Sequence, residues 1–207
     1  MRLALFAVVG FCLEFILAFV VEPLLFGISI NDYSTSQYIA HWIVTCVVWG
    51  IVGLSLIATA KKKYNYNIAA KGEPLACWQW VLIAVCIVAS VCVSYQNWSG
   101  LKVIREFANL GILRFIFQYI YYFFETMLIT LVLIFSQEAF EKWFHRANIP
   151  YGGILLSLTW GIGHFITKDI LTGTLCFVVS FAYGSVYLLS NRDLWKTYVI
   201  VSMMFIL

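Results

Sequence analysis

Apolar positions along this chain fall into long runs, and polar positions fall between them. Stretches that are almost free of charge extend from about Leu3 to Phe26, from Ile39 to Ala60 and from Leu75 to Tyr95. Each is close to the roughly twenty residues that a helix needs to cross hydrocarbon. The segment Trp98 to Leu113 is mixed, with Lys102, Arg105 and Glu106, and reads as an interfacial helix or a deeper, tilted one. An apolar, aromatic helix then starts near Arg114, passes Gln118 and Glu125, and reaches His145 without glycine or proline. Asn148, Pro150, Gly152 and Gly153 break it, because proline cannot continue a helix and glycine loosens one. Three shorter runs follow, Ile154 to Ile166, Leu171 to Leu189 and Leu194 to Leu207. The pattern predicts an all-α, polytopic transmembrane bundle of about seven to eight helices, in which 1–207 forms a single transmembrane domain without internal repeats.

Composition removes the soluble alternative. Hydrophobic residues make up 63% of the chain and charged residues 11%, against about 25% charged in an ordinary soluble domain. A barrel is excluded by continuity, since its strands alternate over about ten residues between turns. Met1 and Arg2 precede the first run as they would in a signal peptide. That run is too long, contains Glu14 and lacks a small-residue cleavage site, so it reads as a retained helix.

The net charge of +3 comes from basic residues that are scattered except at Lys61, Lys62 and Lys63, which leaves no stripe for nucleic acid. With about seven crossings and that cluster inside, Arg2, Lys71, Lys142, Arg146, Arg192 and Lys196 fall on the same side. Lys102, Arg105, Arg114 and Lys168 fall outside. The asymmetry favours an amino terminus inside the cell, in the cytoplasmic membrane if the chain is prokaryotic. The sequon Asn97-Trp98-Ser99 matters only for a eukaryotic chain with that loop in a lumen. The six cysteines lie in apolar stretches without a C-x-x-C pair and read as small buried hydrophobes.

Ionisable groups inside apolar runs carry the functional signal, because each costs at least about 2.5–3.5 kcal/mol at the bilayer centre. Glu14 and Glu125 lie mid-run and read as protonated or hydrogen-bonded contacts between helices; Glu22 and His41 read as interfacial residues. Gln137, Glu138, Glu141 and His145 share one helical face by their offsets of three, four and seven, which suits either a catalytic face or a solvated helix end. In the solvated alternative, Glu138 pairs with Lys142 and Glu141 with His145. Further on, Trp160-Gly161-Ile162-Gly163-His164 puts an imidazole beside glycines that permit close approach of another backbone. An antiparallel turn at Pro150 is expected to bring this histidine to the carboxylate face of the preceding helix. A carboxylate and an imidazole around one water suffice for general-base hydrolysis. His164, His145, Glu138 and Glu141 are metal-ligand types without H-E-x-x-H or comparable spacing. No metal site is assigned; the chemistry requires no cofactor and leaves a divalent metal open.

The order of a carboxylate-rich helix, a W/F-x-x-x-H helix, a small-residue helix and a last helix opened by Leu194-Trp195 resembles the CPBP intramembrane proteases. These include CaaX prenyl endopeptidases and bacteriocin-processing or self-immunity proteins. The resemblance covers 135–207. Gln137-Glu138 with Lys142 stands where that family has two glutamates and an arginine, and Trp160 with His164 stands for its Phe-x-x-x-His. Tyr198 and Ser202 have the four-residue spacing of its last motif, one turn out of register. The resemblance implies an endopeptidase with Glu138 or Glu141 as general base, His164 as its partner and Tyr198 or Ser202 as oxyanion donors. Gln137, Lys142, His145 and Trp160 would support them. The substrate would be a membrane-associated peptide or prenyl-protein-like chain, and the other partner membrane lipid. An inactive immunity or maturation relative, and a small-solute transport component built on Glu14, Glu125 and His164, are the alternatives.

Overall fold

The computed structural model describes residues 1–207 as seven helices without strands. They are α1 (Arg2–Phe26), α2 (Thr35–Tyr64), α3 (Cys77–Trp98), α4 (Lys102–Phe144), α5 (151–167), α6 (Ile170–Leu189) and α7 (Leu194–Ile206). Five of them, α1 to α4 and α6, are long and apolar enough to cross a bilayer. Side chains such as Leu24 and Ile166, each 82% exposed, make sense only with lipid as the surrounding solvent. The chain is a membrane protein.

Successive helices run in alternate directions. One end of the bundle gathers Lys61 to Lys63, Lys142, Arg192 and Lys196, and is called the lysine end; the far end gathers Ser29 to Ser34, Trp98 to Gly111 and Lys168. At the lysine end Gly72 donates its N–H to Asp193, and Lys196 donates to the Glu73 carbonyl, which ties the α2–α3 loop to the α6–α7 turn. Burial alone would raise the Asp193 carboxyl, but N–H groups of Lys196 and Gly72 outweigh it and hold it below the usual range.

Helix α4 is the axis. From Leu128 to Gln137 every residue is buried, because α1, α2, α5 and α7 pack on different sides of this stretch. The mixed segment is not a separate crossing. Gly111, at φ 70° and ψ 167°, breaks α4 into 102–110 and 112–144 and folds the short arm back on the long one. Phe107 and Phe115 meet across that fold at 5.2 Å.

Two helices contain a π-helical turn. In α1 it spans Leu17–Val21, just before Pro23, whose ring would clash with the Phe19 carbonyl in a regular α-helix. In α5 it spans Ser157–Gly161, where Ser157 and Thr159 donate to the Gly153 and Leu155 carbonyls and compete with the helical ladder.

Glycine lets α5 and α6 cross with backbones in contact. A Cβ on Gly184 would lie 2.6 Å from the nitrogen and Cα of Gly153, which cannot yield as a side chain would. Gly184→Leu is therefore expected to destabilise the protein by more than the roughly 1–3 kcal/mol of ordinary overpacking. Thermal unfolding in detergent measures this, and an unchanged melting temperature would contradict the crossing.

Candidate functional site

The carboxylate face at the end of α4 is a structural lock. Gln137 is 1% exposed. It accepts the N–H of Gly152 at 3.0 Å and donates to the Ile149 carbonyl and to Glu141, each at 2.7 Å. One amide thus satisfies an orphan donor at the start of α5 and holds the turn closed. Glu141 also accepts from Arg192 at 2.7 Å, not from His145. His145 ends the helix with φ 54°, off the face it was expected to share. Glu138 pairs with Lys142 at 2.7 Å on the exposed surface.

His164 does not meet this face. Its level on α4 is set by Trp160, whose indole N–H donates to Glu125 at 2.9 Å. Glu125 lies twelve residues before Gln137 on the same helix, about 18 Å along the axis at 1.5 Å per residue. The expected site of His164 with Glu138 or Glu141 is corrected on this point: the hairpin is antiparallel, so residues beside the turn at Pro150 cannot reach one near the other end of α5. Glu125 is the carboxylate bonded to Trp160, one turn before His164 on α5.

Three groups of polar side chains occupy the far half of the bundle. In the first, the Trp160 ring lies against the His164 ring, with centroids 4.4 Å apart, and Nδ1 of His164 is 2.8 Å from the Trp160 carbonyl oxygen. A carbonyl only accepts, so Nδ1 carries the hydrogen, and in the neutral ring Nε2 keeps a free lone pair. Phe205 of α7 covers Trp160 at 6.1 Å. One turn earlier on α7, the Ser202 hydroxyl is buried without a hydrogen-bond partner. Tyr198, one turn before Ser202 on α7, donates to the Phe123 carbonyl at 3.2 Å.

The second group was divided in the sequence between mid-run and interfacial residues. Nδ1 of His41 lies 2.9 Å from both oxygens of Glu22, and its Nε2 lies 3.6 Å from Glu14. Tyr33 donates to Glu22 at 3.1 Å and Tyr121 to Glu14 at 2.6 Å. His41 and Glu22 are both buried, deeper than an interfacial position implies. Eight residues of regular α-helix would turn Glu22 about 80° from Glu14; the wide turn Leu17–Val21 absorbs about one residue and returns both to one face. Tyr121 precedes Glu125 by one turn, so the first two groups adjoin on α4.

In the third group, the folded-back arm of α4 buries Glu106, which accepts from Gln118 at 3.1 Å, Tyr119 at 2.9 Å and Tyr122 at 2.7 Å. Lys102 lies over the Tyr122 ring and donates to the Phe205 carbonyl at 3.0 Å. The grouping of these residues around Glu106 and the Glu22–His41 contact were not foreseen from the sequence. The available signals were Gly111 as a fold-back point and the unusual run of tyrosines opposite a glutamate.

All six cysteines are free, and no cluster of three histidine, cysteine or carboxylate side chains has the arrangement of a metal site. Comparison with protein-family models, with curated proteins and with solved structures finds no match for this chain.

Proposed function

We propose that this chain is an intramembrane hydrolase of the CPBP kind, cleaving a membrane-associated peptide, with Glu125 rather than Glu138 or Glu141 as the carboxylate that works with His164. The observation that carries the reading is the tautomer of His164: the Trp160 carbonyl holds Nδ1–H, and no protein group occupies Nε2. A fixed, unpartnered basic nitrogen one helical turn from the tryptophan that holds a buried carboxylate is equipment for activating water. In that reaction the water oxygen bonds to the scissile carbonyl carbon and its proton passes to Nε2. The proton then goes to the amine nitrogen as the C–N bond breaks. Glu125, held by the Trp160 indole, stabilises the imidazolium that forms between the two steps. Ser202, on the helix whose Phe205 packs on Trp160, would supply a hydroxyl donor.

The test is cleavage of a quenched, lipid-anchored peptide by protein in proteoliposomes. Wild type should cleave, and Glu125→Gln should lose at least about 100-fold in kcat/KM while its melting temperature stays within a few degrees. A second reading, proton-coupled transport of a small solute, is favoured by the chain Glu22–His41–Glu14–Tyr121, since such carboxylate–histidine rows serve as proton relays in transporters. An inert wild type, with uptake driven by a pH gradient and abolished in His41→Gln, would put transport in its place.

A further inference from the structure

We propose that the groove between α2 and α4 is a binding site for one anionic phospholipid, with the phosphate on Arg114 and an acyl chain along the groove. The groove has a volume of about 400 Å³ and is walled by Trp42, Cys46 and Gly50 on α2 and by Phe117, Ile120 and Phe124 on α4. It exists because Cys46 and Gly50 are small where the facing side chains are large. Its lining runs from Trp42 to Leu54, twelve residues or about 18 Å of helix. That matches one leaflet of a hydrocarbon core about 30 Å thick.

Charge at its mouth selects the occupant. Arg114 precedes Phe117 by three residues and Tyr38 precedes Trp42 by four, so both stand directly above the groove at the far end of the bundle. The Arg114 guanidinium lies 4.3 Å from the centre of the Tyr38 ring. Stacking covers one face of the guanidinium and leaves its in-plane N–H edge for an acceptor. The protein supplies none: Nε is buried without a partner, and no ion pair includes Arg114. A phosphate matches that fork in geometry and sign, and headgroup depth is where a helix end places it. A zwitterionic lipid offers the same acyl chain and a phosphate already offset by its own cation.

Native mass spectrometry of the purified chain, released from micelles doped equally with dioleoyl phosphatidylglycerol and dioleoyl phosphatidylcholine, decides the matter. Wild type should retain one phosphatidylglycerol per chain, at least ten-fold over phosphatidylcholine. Arg114→Gln should remove the preference. Val47→Trp, at a groove-lining position that is 56% exposed and so disturbs no core packing, should displace both lipids. Equal retention of the two lipids by wild type, or a preference that survives Arg114→Gln, overturns the phosphate contact. Retention unchanged in Val47→Trp overturns the groove.

Discussion

His164→Asn is expected to reduce peptide cleavage by between about 10² and 10⁴-fold, the range in which a positioned general base contributes, while leaving the fold intact. Asparagine is chosen for its shape. Its amide nitrogen falls near the place of Nδ1 and keeps a donor for the Trp160 carbonyl, which is 2.8 Å from the imidazole. What it removes is the basic nitrogen beyond, the only part of the ring that the proposed reaction uses. A merely structural histidine would tolerate this change, since the buried carbonyl keeps its partner and little packing is lost. The measurement is kcat/KM on the lipid-anchored peptide, with melting temperature as the control. Undiminished cleavage by His164→Asn would leave His164 as a helix-packing residue and end its assignment as the base.

Much of the architecture was legible because lipid imposes simple rules. Runs of about twenty apolar residues became helices, the break at Pro150 became a turn, and α4 continued through its polar end. The site was less legible, for two physical reasons. Helical faces read from offsets assume 3.6 residues per turn, and the wide turn before Pro23 violates that where Glu14 and Glu22 must be aligned. A further constraint lies in the hairpin topology. In an antiparallel hairpin, residues equally far from the turn lie at one level, so a turn at 145–150 puts His164 opposite the neighbourhood of Leu131, already away from Glu138 and Glu141. Glu138 and Glu141, beside the turn, lie next to Pro150 instead. Glu106 was hidden differently: a glutamate in a mixed segment looks interfacial until Gly111 turns the segment inward.

Removing His41 is expected to destabilise the protein by about 3–5 kcal/mol, the cost of leaving a buried ionic partner uncompensated. The ring is 3% exposed and stands between the carboxyl groups of Glu22 and Glu14, at 2.9 and 3.6 Å. In His41→Ala, Glu22 retains only the Tyr33 hydroxyl and Glu14 only that of Tyr121. Two carboxyl groups then face a cavity with no positive group between them. Protonation of one or both would limit the penalty, and this gives the prediction its internal control. His41→Ala/Glu22→Gln removes one of the stranded charges, so it should recover a large part of the loss, a coupling of about 0.5–3 kcal/mol. Loss of imidazole packing alone predicts no such recovery, because the cavity persists in the double variant. Denaturant titration in mixed micelles, followed by tryptophan fluorescence, measures all three stabilities. A His41→Ala variant within about 0.5 kcal/mol of wild type, the range of an unremarkable surface change, would mean that His41 does not hold the two carboxyl groups. The π-helical turn of α1 would then have no electrostatic purpose in aligning Glu14 with Glu22.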